Sequence, residues 1–344
     1  MSGMQTHKSI ANQVRPDMRG AQWQVHQRGA AIILALLLTT LAVTIVTSLF
    51  WPQQVQLRAV ENQFQHLQAN TVLRRTLDDT RQILRLDAME NGNVTSLDGL
   101  WAKHIPAIRL EELTGQGIKS ELTLTVRIVD AQSRYNLTNL ATDRQINDRH
   151  VNNYRRLLHI LGIDPDLAER TAIAIARSQS PLPVTDRISS EVSIWPDKQL
   201  LAFIHIDDLM TVPGYTPQIL AAIREFVVFL PEPTPLNVNT APIVLLSAIT
   251  GISQQKAATL AMSRQRQVLS DRTDISLRLD EELATKVFVL DVKSDYFLVE
   301  QQIVLGHMAF SSQALVRRKN GGRIPDTQGQ DEVLPTSILW MRKG

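Results

Sequence analysis

The chain has 344 residues, no cysteine and a formal net charge of +2, and 44% of it is hydrophobic. This length supports two modest domains, and this hydrophobic content indicates packed cores rather than disorder. The lack of cysteine excludes disulfides, thiol nucleophiles and thiolate metal sites, and is compatible with an oxidising compartment.

Lys8, Arg15, Arg19 and Arg28 stand against Asp17 in residues 1–29, giving them +3 and leaving −1 on the remainder. Ala30 to Trp51 then runs for 22 residues without a charge. As a helix it is about 33 Å long, against a hydrocarbon core of roughly 30 Å. Cationic flanks stay on the cytoplasmic side, so the chain beyond Trp51 is expected outside the cytoplasm. A cleavable secretory signal would have a shorter apolar core ending in an Ala-x-Ala site. None follows here, and the small residue, Gly29, precedes the apolar run.

After Pro52 a helical pattern carries Val60, Phe64 and Leu67, then Leu73, Leu77 and Leu84, with a phase slip near Asn70. The membrane helix is expected to continue as one rod to the turn cluster Asn91-Gly92-Asn93. Leu122 to Ile128 alternates strictly and predicts a half-buried strand. Asp130 to Leu140 reads as a polar, Asn-rich exit from it.

From Thr138 to Lys286 the pattern is helical and contains a weak repeat. Leu157, Leu209 and Leu246 each stand five residues before a glycine, namely Gly162, Gly214 and Gly251. Ile163, Tyr215 and Ile252 follow these glycines, and then Asp164, Thr216 and Ser253 as expected helix caps. The shared form is a helix-hairpin-helix, in which glycine relieves a positive backbone dihedral. Pro231 to Pro235 reads as a stiff linker; beyond it Asn239 or Thr240 is expected to cap a helix with Pro242 in its first turn. Strand patterns return at Phe288–Val292, Tyr296–Leu305, Met308–Arg317 and Ile338–Trp340, punctuated by Gly306-His307 and Asn320-Gly321-Gly322. Strand signals thus flank the helical block, and the economical topology is an α+β domain with an all-helical domain inserted.

No catalytic constellation stands out. The eight histidines are scattered, and His-Glu-x-x-His, Gly-x-Ser-x-Gly and phosphate-cradling loops are missing. Gly115-Gln-Gly117 lacks a third glycine. Asp207-Asp208 and Asp280-Glu281-Glu282 read as a solvated face or a helix first turn, and Arg317-Arg318-Lys319 as surface charge at a hairpin tip.

The junction Gln27-Arg28-Gly29-Ala30-Ala31-Ile32-Ile33-Leu34 resembles the leader junction of type IV pilins and pseudopilins. Arg134–Leu140, Val212–Tyr215, Ser294–Phe297, the Trp340 ending and especially Leu236-Asn-Val-Asn-Thr-Ala-Pro242 resemble the general secretion pathway protein K family, the large minor pseudopilins of type II secretion systems. The resemblance implies residues 1–29 as a cytoplasmic leader and 30–51 as a single bacterial inner-membrane span with the bulk of the chain in the periplasm. It implies 52–137 with 287–344 as a pseudopilin-like α+β domain, a long N-terminal helix with a small antiparallel sheet, and 138–286 as the inserted helical domain.

It further implies cleavage after Gly29 and N-methylation of Ala30 by the prepilin peptidase, and a place at the pseudopilus tip with other minor pseudopilins. The secretion platform of the inner membrane and exported proteins are further implied contacts. Relatives carry glutamate where this chain has Leu34, a carboxylate thought to pair with the amino terminus of a neighbouring subunit; its loss suits a first subunit. Members that bind calcium have an Asp-rich stretch where this chain reads Ala176-Arg-Ser-Gln-Ser-Pro181, with Ser178 and Ser180 in place of acids, so no metal and no cofactor is expected. Asp197, Asp207 and Asp208 are the acids that could rebuild such a site. The competing reading is a membrane-anchored DNA-binding protein using its hairpin turns. Residues 138–286 hold 15 Lys and Arg against 17 Asp and Glu, a net of −2, which speaks against nucleic acid.

Overall fold

The computed structural model describes residues 23–92, 94–103, 108–109, 122–179, 201–278, 287–305, 308–318, 324–325, 331–332 and 336–343. Met1–Leu67 and Gln68–Gly344 form two compact units. The expectations for residues 1–22, Gly115-Gln-Gly117, Ser180, Asp197, Asp280–Glu282, Gly306-His307 and Lys319–Gly322 lie outside the described residues.

Helix α1 runs from Trp23 to Asn91, so the single rod and its stop are as the pattern predicts. Its apolar segment Gly29–Ser48 is long enough to cross a membrane and is wholly exposed. Within the first unit Val60, Phe64 and Leu67 are exposed as well. Past the phase slip the stripe turns inward: Ala69, Leu73, Leu77, Thr80, Leu84 and Asp87 are buried, at spacings of three and four that keep one face.

That face packs on a sheet. Strand β1 is Ile108–Arg109 and β2 is Leu122–Asp130. Four two-residue strands lie between β2 and the sheet's next member: β3 Tyr135–Asn136, β4 Ala141–Thr142, β5 Gln145–Ile146 and β6 Val227–Val228. They are followed by β7 Leu236–Asn237 and β8 Leu290–Asp291. Then come β9 Tyr296–Leu305, β10 Met308–Arg318, β11 Ile324–Pro325, β12 Asp331–Glu332 and β13 Thr336–Lys343. The five-stranded antiparallel sheet has the order β1-β2-β9-β10-β13, so β2 and β9 are neighbours although 165 residues separate their facing ends, Asp130 and Tyr296.

The buried stripe of α1 joins Trp101, Leu124, Val126, Ile128, Phe297, Val299, Ile303, Ala314 and Val316 in one core. Tyr296, Leu298 and Leu315, on the other face, pack with Ala131, Val228 and Leu230. This explains why the first four residues of β9 are all buried while its later half alternates.

The intervening chain forms α2 Asp148–Ile160, α3 Leu167–Ser178, α4 Pro217–Ile223, α5 Ile243–Thr250, α6 Gln254–Arg266 and α7 Arg272–Arg278 around a third core. Two parallel pairings stitch it: β3 with β6, and β7 with β8. The expected strand Phe288–Val292 is shorter, because Val287–Val289 winds as a 3-10 turn and only Leu290–Asp291 pairs. Pro242 holds the N-cap position of helix α5 without a side-chain cap, and Asn239 and Thr240 do not cap it because their side chains are engaged elsewhere.

Arg318 corrects the surface-charge expectation. It is 1% exposed and lies on the inward face that Ala314 and Val316 mark along β10. Its Nη1 donates to Asp87 Oδ2 at 2.6 Å, and its guanidinium lies 4.5 Å from the Phe297 ring centre. Removing one partner of a buried pair strands a charge, at a cost of about 3–5 kcal/mol. Asp87→Ala is therefore expected to lower the unfolding free energy by about that much in urea titrations. Asp78→Ala, which removes an exposed pair with Arg81, should cost under about 1 kcal/mol. Equal small losses would contradict the inward placement of Arg318.

Candidate functional site

Asp130, at the end of β2, is buried and accepts four hydrogen bonds. The Gln132 amide reaches Oδ1 at 2.8 Å. Asn237 Nδ2 (2.9 Å), Thr240 Oγ1 (2.5 Å) and Ser294 Oγ (2.7 Å) converge on Oδ2. Asn237 also donates to the Thr95 carbonyl at 3.1 Å, Thr95 Oγ1 accepts from the Ser294 amide at 3.1 Å, and Arg318 Nη2 donates to Thr95 Oγ1 at 2.9 Å. One polar seam thus runs from Asp87 through Arg318, Thr95 and Ser294 to Asp130, joining α1, β10, β2 and the β7 segment. On Asp87, Oδ1 accepts the Leu100 amide at 2.9 Å. Gly99 leaves room for this approach, since a Cβ there would sit 2.6 Å from that oxygen.

The Asn-rich stretch read as a polar exit is interior instead. Asn136 Nδ2 donates to the Glu232 carbonyl at 2.8 Å, and its Oδ1 accepts from the Leu230 amide at 3.1 Å. Asn139 exchanges two hydrogen bonds with the Thr234 backbone, and Thr138 Oγ1 donates to the Leu230 carbonyl. The Pro231–Pro235 segment is held by these three side chains. In the Leu236–Pro242 motif, Asn239 bonds the amide and carbonyl of Leu269 while its own amide meets Asn237 Oδ1.

The three hairpin glycines have positive φ: Gly162 at 70°, Gly214 at 105° and Gly251 at 77°. Gly251 is the left-handed cap of α5, where any other residue is strained. Thr216 and Ser253 cap α4 and α6 as expected. Asp164 does not cap; its Oδ1 accepts from the Asp166 amide in the turn before α3. Before Gly214 the chain is a 3-10 helix, Ile206–Thr211, rather than an α-helix. Asp207 and Asp208 occupy its first turn: Asp208 bonds the His205 and Ile204 amides, and Asp207 takes Arg224 and Arg342, whose hydrogen bonds hold its pKa below 3.8. Tyr215 hydroxyl meets Tyr154 hydroxyl at 2.7 Å and Thr171 Oγ1 at 2.8 Å, which pins the second hairpin on the first.

Gly29, Ala30 and Leu34 all lie on α1, exposed, at the start of the apolar segment. Ser178 is buried and its Oγ bonds the Ile175 carbonyl. Among the described residues no three His, Asp or Glu side chains are grouped to hold a metal. His150, facing Tyr135 hydroxyl at 3.0 Å, is lowered to about 4 by burial and then by Arg149. These features fix a fold, and one helix in it is long and apolar enough to cross a membrane.

Residues 133–232, which span Asn136, Thr138, Asn139 and the first two hairpins and end within the proline segment, match the family model described as Type II secretion system (T2SS), protein K. The chain is 26% identical over 311 residues to type II secretion system protein K of Pseudomonas aeruginosa, covering 87% of this chain and 91% of that one. The chain thus carries, over residues 133–232, the domain described for type II secretion system protein K. It is a minor pseudopilin of type II secretion. Its fold is also similar to a chain in the crystal structure of the GspK-GspI-GspJ complex from enterotoxigenic Escherichia coli, with a TM-score of 0.58, 20% identity and coverage of 83% of this chain and 99% of that chain.

Burial raises the pKa of Asp130 above 3.8, against the lowering by its four donors, Thr240 first. A carboxyl raised on folding contributes stability that is complete below its unfolded pKa and is lost as pH rises through the folded value. Asp130→Asn should remove this slope: in urea unfolding over a pH series beginning below 3.8, the variant should gain on the wild type as pH rises. A variant that loses ground with rising pH would show that the donors outweigh burial.

Proposed function

We propose that the protein is anchored in a bacterial inner membrane by Gly29–Ser48 with its bulk in the periplasm. It is cut after Gly29, methylated on Ala30 by the prepilin peptidase, and set at the tip of a pseudopilus. There it nucleates assembly with minor pseudopilins of the GspI and GspJ kinds on the inner-membrane secretion platform, and supports export of proteins across the outer membrane. The role is structural rather than enzymatic. Residues 138–286 act as an insertion between β2 and β9, leaving the long helix and sheet as the pseudopilin-like part.

The observation that supports this reading best is the continuity of α1, whose uncharged segment Gly29–Ser48 suits a bilayer and whose last turns form the face of the sheet core. Leu34 adds the tip position. A carboxylate in a bilayer costs up to roughly 2.5–3.5 kcal/mol at the centre and persists where a partner offsets it. Leucine needs no such partner, so this subunit can begin a filament but is poorly suited to join beneath another.

One experiment tests both parts: crosslinking of the membrane fraction followed by mass spectrometry. The expected mature start is methylated Ala30, with crosslinks to other minor pseudopilins at about one copy per filament. A start near Trp51 or an uncut leader would overturn the processing reading, and crosslinks between copies along the shaft would overturn the tip. We also infer that calcium contributes little, because Ser178 bonds its own helix and Asp207 is held by two arginines. Thermal scans with calcium and with chelator should superimpose; a clear rise with calcium would mean that other acids form a site.

A further inference from the structure

The sheet register aligns four polar residues across its strands. Arg127 of β2 lies opposite Glu300 of β9, Glu300 opposite Gln313 of β10, and Gln313 opposite Arg342 of β13. This row and the segment His205–Asp207 line a cavity of about 210 Å³ together with Arg134, Arg224, Glu225 and Trp340. Trp340 is edge-on to His205, with ring centres 4.5 Å apart.

Four arginines and three carboxylates face the cavity, leaving one positive charge in excess. The pairing shows where it resides. Asp207 gives one oxygen to Arg224 and the other to Arg342, each at 2.5 Å. Glu300 lies 3.8 Å from Arg127 and accepts Gln313 Nε2 at 3.4 Å. The Arg134 guanidinium is half-buried and, among the described residues, takes part in no direct hydrogen bond or ion pair. Burial lowers its pKa, and the field of Glu300 only partly opposes that.

A guanidinium has five N–H donors in a planar fork that matches a carboxylate's two oxygens. A single uncompensated positive charge suits a monoanion, whereas the three carboxylates in the wall repel a dianion such as sulfate. Arg342 and Trp340 come from β13, the last strand in the sheet order, so a carboxylate carried on a polypeptide can arrive along that edge. We propose that this cavity is a carboxylate-binding site centred on Arg134, with Arg342 and Trp340 as its outer wall. It stands independently of the membrane and tip assignments.

The test is calorimetric titration of the full chain in detergent micelles with acetate, with acetyl-Gly-Glu-Gly-amide and with sulfate, at constant ionic strength. Saturable carboxylate binding is expected, weaker by about tenfold or more in Arg134→Gln, as loss of a charge-assisted pair implies. Arg134→Lys keeps the charge and loses the fork, so it should fall between; it also serves if the glutamine variant does not fold. Tighter binding of the peptide than of acetate identifies an acidic side chain as the ligand, and equal binding a free small carboxylate. No saturable carboxylate binding, equal binding to wild type and both Arg134 variants, or sulfate bound more tightly than acetate would overturn the proposal.

Discussion

A charge taken out of water costs several kcal/mol unless partners replace the solvent around it. Asp87 and Asp130 are each 1% exposed, as is Arg318. The arrangement of Gln68–Gly344 follows from meeting that demand. Asp87 ends the inward stripe of α1 and is neutralised by a residue of β10, 231 positions later. Asp130 ends β2 and is solvated by donors from the β7 segment and from Ser294. Because Thr95 touches both networks, together they tie helix, sheet and helical block to one another.

The same logic accounts for the motif residues. Asparagine offers a donor and an acceptor on one short side chain, so it can stand in for a strand partner where backbone runs irregularly. Asn136, Asn139 and Asn239 each satisfy both a backbone N–H and a carbonyl of a distant segment. Buried segments such as Pro231–Pro235 and the Leu269 loop would otherwise leave polar groups unmet. Keeping those groups' partners keeps the way the helical block is mounted, which fits a structural pseudopilin.

Regular elements were legible in the sequence and long-range polar contacts were not. Periodicity located α1 with its end, the bounds of β9 and the three glycine turns, because these depend on neighbours within one helical turn or one pleat. Arg318 was misplaced because a run of three cations at a strand end looks like a solvated tip. The alternation of Ala314 and Val316 carried the contrary signal. The Asn-rich stretch looked like an exit because its partners lie about 95 residues away, where no local pattern reports them. In the Arg134 cavity the row Arg127–Glu300–Gln313–Arg342 exists only once the strands are in register.

If the seam makes sheet and helical block one cooperative unit, their amides must open together. Native-state hydrogen exchange of the full chain in micelles measures this directly. The Thr95 amide, bonded to Val292, and the Val238 amide, bonded to Asp291, should exchange with the same opening free energy as the central amides of β9 and β10. Exchange of Val238 and the amides of α2 to α7 at a distinctly lower opening free energy, with the sheet still protected, would show that the helical block unfolds on its own and would contradict the account.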